Sequence, residues 1–237
     1  MPNPYFRFKQ FTVFHDRCAM KVNTDSVLLG SWADVSGCRH ILDVGSGSGL
    51  IALMLAQRTD AFIAGVEIDE NAYSQSLENV ERSPWADRIT VFHISFGDFL
   101  KETEERYDLI VSNPPYFSNS LLPPDKGRQT ARHNTEDLSL KNLISGSASL
   151  LKEKGKMAFV FPVSSDREVE ELAETNGLFL SKKVRVKPTP PADPKRLLVE
   201  MSKFPVKCEN TELIIETSRH RYSDAFESLT KEYYLDK

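Results

Sequence analysis

The chain of 237 residues is long enough for one large α/β domain and can bury a hydrophobic core without covalent cross-links. Hydrophobic residues make up 40% and charged residues 27% of it, which excludes the disordered, collagen-like and membrane-embedded classes of protein. The formal net charge is −4, and the three widely spaced cysteines predict neither a disulfide framework nor a metal site.

The N-terminal segment is predicted to form a small cap of one hairpin and one helix. Tyr5 to Phe14 alternates aromatic and polar residues as a hairpin does, and Thr24 to Trp32 has the pattern of a helix capped by Thr24 or Asp25. The segment has no apolar core typical of a signal peptide, and no later stretch approaches the roughly 20 apolar residues that span a bilayer. We therefore expect a cytoplasmic protein that makes no membrane contact.

After the cap, short apolar strands alternate with helical patterns, which is typical of a parallel sheet with crossover helices. Seven strands are predicted, at 40–44, 62–67, 89–92, 107–111, 156–161, 179–186 and 197–201. Helices are predicted at 50–58, 71–82, 138–154 and 166–176, with Gly155 and Gly177 closing the last two. This order predicts an α/β, Rossmann-like fold with a mostly parallel sheet, in which residues 36–237 form the main domain and residues 1–35 its cap.

A glycine-rich turn follows the first predicted strand, with the sequence Asp43-Val44-Gly45-Ser46-Gly47-Ser48-Gly49. Glycines allow a ligand to approach the backbone closely. The G-x-G-x-G spacing lacks the second two-residue gap of the dinucleotide fingerprint, which seats a pyrophosphate. The carboxylate of Asp43 would repel a pyrophosphate and attract an ammonium group, so the turn favours S-adenosylmethionine over a nicotinamide dinucleotide.

Two more acidic residues follow the second and third predicted strands and complete the predicted cofactor site. Glu67 is expected to accept hydrogen bonds from the ribose hydroxyls, with Asp69 as a competitor better suited to capping the next helix. Asp98 could accept a hydrogen bond from the adenine amine, with Phe99 alongside the adenine ring. Because the carboxyl ends of parallel strands share one edge of a sheet, we expect these acids to lie close to Asp43.

The segment Ser112-Asn113-Pro114-Pro115-Tyr116 directly follows the fourth predicted strand. Its two prolines remove two amide donors and fix the chain. The amide oxygen of Asn113 and the carbonyl of Pro114 are then two acceptors for an exocyclic NH2, and Tyr116 can stack on a flat ring. Such acceptors localise the lone pair of a conjugated amine toward a methyl donor, and alignment supplies much of the remaining acceleration.

Together these two motifs resemble the class I methyltransferases of the N-P-P-Y type, in which the asparagine and the proline carbonyl hold the target nitrogen. Phe8-Lys9-Gln10-Phe11 and the segment from Ala19 to Trp32 further resemble the bacterial branch that methylates adenine N6 beside the anticodon of a valine tRNA. The resemblance implies a tRNA partner, and implies that Lys21, Thr24 and Asp25 lie over the cofactor pocket. The resemblance does not determine the oligomeric state, and a monomer is slightly favoured over an oligomer.

The basic residues of the chain are concentrated between residues 180 and 207, where eight bases and two acids give a local charge of +6. Such a ribbon predicts a surface for RNA phosphates, and a solvated strand face is the alternative. Arg128 and Arg132, in the loop after the N-P-P-Y segment, are further candidates, with a solvated loop as the alternative. The predicted RNA-binding residues of the ribbon are Lys182, Lys183, Arg185 and Lys187.

Other functions remain open at the level of the sequence. The acceptor could be the N5 of a protein glutamine, the N2 of guanine or N6 of adenine in ribosomal RNA, or an adenine of DNA. The basic ribbon favours nucleic acid over protein, and the lack of an extra target-recognition domain argues against DNA. A nicotinamide-dependent oxidoreductase would leave the N-P-P-Y segment unexplained, and a cofactor-binding module without activity is the last alternative.

Overall fold

The computed structural model describes residues 3–115 and 138–235. In these ranges the strands are β1 (Tyr5–Arg7), β2 (Thr12–Phe14), β3 (His40–Val44), β4 (Phe62–Glu67), β5 (Ile89–His93), β6 (Tyr107–Ser112), β7 (Leu151–Pro162), β8 (Phe179–Lys187), β9 (Arg196–Ser202), β10 (Glu209–Ile214), β11 (Glu216–Ser218) and β12 (Arg221–Tyr222). The helices are α1 (Thr24–Trp32), α2 (Leu50–Ala56), α3 (Glu70–Glu81), α4 (Phe96–Glu102), α5 (Leu140–Leu150), α6 (Asp166–Thr175) and α7 (Asp224–Thr230).

An eight-stranded sheet forms the centre of the molecule, in the order β10-β8-β9-β7-β6-β3-β4-β5. Neighbouring strands are parallel except where β9 meets β7 and β8, because β9 runs opposite to both. The carboxyl ends of the other seven strands therefore share one edge, called here the carboxyl edge. All seven predicted strands are present, and β10 adds an eighth beside β8.

A hydrophobic core lies on each face of this sheet. Ile41 packs in one core with Leu28 of α1 and Leu53 of α2, whereas the next residue, Leu42, packs in the other with Leu143 of α5. Successive side chains of a strand point to opposite faces, and both faces are covered here. This double burial explains why the central strands appear in the sequence as continuous apolar runs.

The N-terminal cap and the segment after α7 pack together on the first of these cores. β1 and β2 form the predicted antiparallel hairpin. The Lys9 amide donates to the Tyr233 carbonyl at 2.8 Å, and the buried Tyr233 hydroxyl donates to the Met54 carbonyl of α2, also at 2.8 Å. The cap thus shares a core with the main domain, and a boundary at residue 35 stays a prediction.

The clearest differences from the sequence prediction lie at the end of α5 and at the start of α1. The helix predicted at 138–154 ends at Leu150, and β7 begins at Leu151. Gly155 lies inside β7, where a β-carbon would meet the Tyr107 carbonyl oxygen at 2.7 Å, so close backbone approach requires the glycine. Helix α1 is capped by Asn23, whose side chain accepts from the Ser26 amide, and not by Thr24 or Asp25.

Helix α4 was not predicted, because its seven residues, Phe96–Glu102, make only about two turns and, unlike those of the equally short α2, alternate between apolar and polar types. It begins after Ser95, whose hydroxyl accepts from the Asp98 amide. Across the ranges that the structure describes, none of the helices is long and apolar enough to cross a membrane.

Candidate active site

A cavity of about 290 Å³ opens at the carboxyl edge beside β3, β4 and β6. This volume is near the lower end of the range for small-molecule sites. The cavity brings together the glycine turn, the end of β4, the start of α4, the N-P-P segment and part of the cap. Its walls include Cys18, Met20, Lys21, Asn23, Ser26, Gly45, Ser46, Gly47, Ser48, Glu67, Ile68, Asp69, Ile94, Phe96, Asn113 and Pro115.

The glycine turn bends the chain sharply between β3 and α2. Gly45, Gly47 and Gly49 have φ angles of 71°, 56° and 78°, a region that other residues rarely adopt. The Gly45 and Ser46 amides donate to the Val66 carbonyl at 2.9 and 3.1 Å, which holds the turn against β4. Gly45 and Gly47 line the cavity, whereas Gly49 packs on Ser76 of α3.

Glu67 is the acidic residue that the structure places in the cavity wall beside this turn. Its two carboxylate oxygens accept from the Gly47 and Asp69 amides, each at 2.8 Å. Burial raises the pKa of Glu67, and these backbone hydrogen bonds oppose that rise. Asp69 also lines the cavity and caps α3 by accepting from the Ala72 amide at 2.8 Å. These two hydrogen bonds fix the orientation of Glu67, and its role toward ribose hydroxyls stays a prediction.

Asp43 is completely buried and does not line the cavity. One carboxylate oxygen accepts from the Ala52 amide in the first turn of α2, at 3.2 Å, and the other has no hydrogen-bond partner within the described structure. Burial, the largest cause, raises the pKa of Asp43 to about 7. The side chain therefore supports the start of α2 from inside the fold, and its contact with an ammonium group in the pocket stays a prediction.

Asp98 and Phe99 lie in α4 and do not line the cavity. Asp98 is exposed, and its hydrogen bonds from Lys101 and Ser95 lower its pKa. Phe99 is buried beside Phe92, with ring centroids 5.6 Å apart. Phe96, one helical turn earlier, lines the cavity, whereas Phe99 does not. The role of Asp98 toward an adenine amine stays a prediction.

The N-P-P segment leaves the end of β6 and enters the cavity wall. The Ser112 hydroxyl donates to the Val44 carbonyl at 2.7 Å, which fixes the end of β6 against β3. Asn113 is buried, and its Nδ2 donates to the Ser26 hydroxyl at 2.8 Å and lies 4.0 Å from the sulfur of Met20. Pro114 is buried and Pro115 lines the cavity. Tyr116, Arg128 and Arg132 lie outside the described residues.

The cap contributes a different set of residues from the one expected. Lys21 lines the cavity, whereas Thr24 is an exposed first residue of α1 that does not reach it. Asp25 accepts from the Arg196 Nε at 2.7 Å and ties α1 to β9. Met20, Asn23 and Ser26 of the cap also line the cavity and were not predicted from the sequence. Their types are those of an ordinary helix start, so no signal in the sequence distinguished them.

The basic residues of β8 are engaged with carboxylates. Lys183 is 4% exposed and its ammonium group binds Asp166 and Glu170 of α6, so the expectation that it contacts RNA is wrong. The other three are also paired, with nitrogen–oxygen distances between 3.1 and 3.8 Å: Lys182 to Glu200, Arg185 to Asp166, and Lys187 to Glu212. The charge counted along the chain is thus offset in space by acids from α6, β9 and β10.

Comparison with known proteins agrees with this geometry. Residues 13–177 match a family model described as the methyltransferase small domain. The chain is 49% identical to the tRNA1(Val) (adenine(37)-N6)-methyltransferase of Parabacteroides distasonis, over 99% of each chain. It is 48% identical to the enzyme of the same name from Trichodesmium erythraeum, over 97% of each chain. A solved protein from Agrobacterium tumefaciens, described as a predicted O-methyltransferase, has the same fold, with a TM-score of 0.68 at 20% identity over 88% of this chain and 96% of that one.

Proposed function

The chain belongs to the methyltransferase small domain family, and from this membership we propose that it transfers a methyl group from S-adenosylmethionine to N6 of adenine 37 in tRNA1(Val). The chain has the class I, Rossmann-like fold of enzymes that use this cofactor. The proposed substrate is the one named for relatives that match nearly the whole chain. From this proposed substrate we also infer a cytoplasmic location.

One structural observation supports methyl transfer at this site: the glycine turn, Glu67 and the Asn113–Pro115 segment line the same cavity. The donor and acceptor groups present fit the cofactor. Glu67 would accept from the ribose hydroxyls, and Ile68, Ile94 and Phe96 offer apolar surface for the adenine. The Ser46 hydroxyl is buried and lacks a hydrogen-bond partner within the described structure, so a bound ligand could satisfy it.

The Asn113–Pro115 segment in the wall of the same cavity would hold the acceptor. S-adenosylmethionine, when bound, supplies a methyl group on a positively charged sulfur. The Asn113 amide oxygen and the Pro114 carbonyl would accept hydrogen bonds from the two hydrogens of the adenine amine. These bonds direct the nitrogen lone pair toward the methyl group and hold the reacting atoms in line. The amine can lose its proton after transfer, so the site needs no strong general base.

An adenine in an anticodon loop is stacked on its neighbours and must be flipped out to enter the cavity, at a cost of a few kcal/mol. Met20 is 46% exposed at the cavity and touches Asn113. A polarisable thioether in this place offers the flipped ring a surface to pack on, and such packing offsets part of the cost. The cap would therefore contribute to binding of the target base.

The experiment that tests this function supplies the purified protein with labelled S-adenosylmethionine and bulk tRNA from a strain that lacks the gene. The RNA is then digested and labelled nucleosides are identified by mass spectrometry. We expect label in N6-methyladenosine, at position 37 of tRNA1(Val) when the RNA is fragmented. Label in protein instead would move the acceptor to a glutamine amide, and the absence of label in any tRNA would overturn the proposal.

A further inference from the structure

The hairpin β11–β12 follows β10 at the carboxyl edge of the sheet. Ile214 at the end of β10 lies beside Lys187 at the end of β8, and these strands are parallel. Since β9 is antiparallel to both β8 and β7, the ends of β10, β8, β7 and β6 lie at the same edge. Four spacings of ~4.8 Å, or about 19 Å, separate the end of β10 from the end of β6 that leads to Asn113.

Backbone hydrogen bonds fix the base of this hairpin to the sheet. The Ile215 amide donates to the Lys187 carbonyl, and the Glu216 amide donates to the Pro188 carbonyl, both at 2.9 Å. The Ser223 amide closes the other side by donating to the Ile215 carbonyl at 2.9 Å. The base of the hairpin therefore continues the edge strands, and its turn lies beyond the last of these hydrogen bonds.

The turn presents two arginines whose surroundings differ from those of the β8 bases. Arg219 and Arg221 are exposed, and within the residues described neither guanidinium has a carboxylate partner. Arg219 Nε donates instead to the His220 Nε2 at 3.2 Å. A guanidinium without an ion pair keeps its fork of N–H donors for a phosphate, which it can bind through two hydrogen bonds at once.

The backbone at this turn is unusual. His220 has a φ of 62°, and it is the one non-glycine residue with positive φ in the ranges 3–115 and 138–235. Such a conformation costs a residue with a side chain of order 1 kcal/mol or more and is concentrated at functional sites. Here it reverses the chain between β11 and β12, so that one arginine lies on each side of the reversal.

From these observations we infer that the β11–β12 hairpin binds phosphates of the tRNA whose target base enters the cavity at Asn113. The inference rests on the proposed function. Lys195, exposed in the connector between β8 and β9, and Lys21 at the cavity belong to the same edge and extend this surface toward the site. The connector 188–195 and the segment 215–222 together hold three bases and two acids, Asp193 and Glu216.

The test compares two double variants. Replacement of Arg219 and Arg221 by alanine (R219A/R221A) removes the hairpin charge, and K182A/R185A removes two paired bases of β8. We expect R219A/R221A to weaken tRNA binding about tenfold and to lower the slope of log K against log salt by about 2, near 1 for each lost phosphate contact. We expect K182A/R185A to change tRNA affinity less than twofold, because its bases already have partners.

Methylation assays separate the hairpin from the catalytic site. In R219A/R221A the KM for tRNA should rise while kcat at saturating tRNA and the Kd for S-adenosylmethionine stay unchanged. Unchanged tRNA affinity and an unchanged salt slope in R219A/R221A would overturn the inference. Loss of tRNA binding in K182A/R185A at the same time would assign the RNA surface to β8 instead. Wild-type protein that binds tRNA through the hairpin yet never methylates it would overturn the proposed function alone.

A second measurement does not depend on a variant that folds. Wild-type protein is cross-linked by ultraviolet light to tRNA, digested with protease and nuclease, and searched by mass spectrometry for peptides carrying a nucleotide. Adducts within residues 215–222 support the hairpin as an RNA surface. Adducts confined to β8 or to the face covered by α6 would reject it.

Discussion

The Asn113 amide nitrogen donates to the hydroxyl oxygen of Ser26 at 2.8 Å, and both side chains are buried in the cavity wall. The N-terminal cap therefore holds the amide of the N-P-P segment in one orientation. With Nδ2 turned toward α1, the amide oxygen lies at the opposite end of the planar group. That is the atom which the proposed reaction requires as an acceptor.

Removal of the hydrogen bond between Asn113 and Ser26 is expected to slow the chemical step. In Ser26→Ala the Asn113 amide loses a buried partner worth about 1–2 kcal/mol, so kcat should fall about tenfold with little change in the Kd for S-adenosylmethionine. Ser26→Thr should retain most of the activity. Ser31→Ala is the matched control, because Ser31 is a buried serine of the same helix whose hydroxyl has no partner within the described structure. An equal loss of kcat in Ser31→Ala would mean that the effect comes from the packing of α1 and not from the contact with Asn113.

Asn113 itself is expected to act on turnover and not on cofactor binding. Asn113→Ala removes one acceptor for the adenine amine, so kcat should fall by a factor of about 100–1000. Calorimetric titration should give an unchanged affinity for S-adenosylmethionine. Asn210→Ala, at an exposed position of β10, is the control. Methylation at the wild-type rate by Asn113→Ala would show that the segment does not hold the acceptor.

Glu67 is expected to act on cofactor binding. Its oxygens accept from the Gly47 and Asp69 amides, and Glu67→Gln places an NH2 group against one of these donors. Loss of a charged acceptor in the cavity wall costs roughly 1.5–3 kcal/mol, so the Kd for S-adenosylmethionine should rise by about 10–100-fold. Glu81→Gln, exposed at the end of α3, should leave this Kd unchanged. Equal affinities of the two variants for S-adenosylmethionine would show that Glu67 does not bind the cofactor.

Asp43 is expected to make the stability of the protein depend on pH. Burial raises the pKa of Asp43 from 3.8 to about 7, so between these values the folded chain retains a proton that the unfolded chain has released. The contribution of this carboxyl to stability is therefore present below pH 3.8 and is lost as pH rises to about 7.

Asp43→Asn removes this titration while Asn Oδ1 can still accept from the Ala52 amide. The free energy of unfolding measured in urea should therefore be larger, relative to wild type, for Asp43→Asn at pH 8 than at pH 5. Asp60→Asn, at an exposed aspartate, is the control and should show no such difference. A wild-type-like pH profile in Asp43→Asn would mean that the buried carboxyl does not titrate in this range.

The parts of the site that sequence could predict are those whose chemistry is local. The glycine turn and the N-P-P segment each occupy a few consecutive residues at a strand end, so their types and spacing alone place them at the carboxyl edge. The contact between Asn113 and Ser26 joins residues 87 positions apart and leaves no pattern in the sequence. Phe96 and Phe99 are both candidates for the adenine wall, and only the position of α4 selects between them.

The basic ribbon shows that charge counted along the sequence also fails to predict contacts between residues that are distant in sequence. Bases concentrated in β8 indicate a local excess along the chain, but the acids that neutralise them come from α6, β9 and β10. β10 was not predicted because only one of its six residues, Leu213, is buried. A single buried position cannot show the alternation typical of a strand. Arg219 and Arg221 were not predicted to bind RNA, because acidic residues nearby in the sequence cancel their charge and leave no local excess of bases.

Tyr233 ties the cap to α2: its hydroxyl donates to the Met54 carbonyl, 179 residues away, and its own carbonyl accepts from the Lys9 amide of the cap that also carries Met20 and Ser26. During synthesis on the ribosome, the cap and the glycine turn emerge long before Tyr233 does. The wall of the cavity that touches Asn113 therefore lacks its support until nearly the whole described chain has been made. A nascent chain should thus be able to fold its central strands early, yet become competent to modify RNA only late in translation.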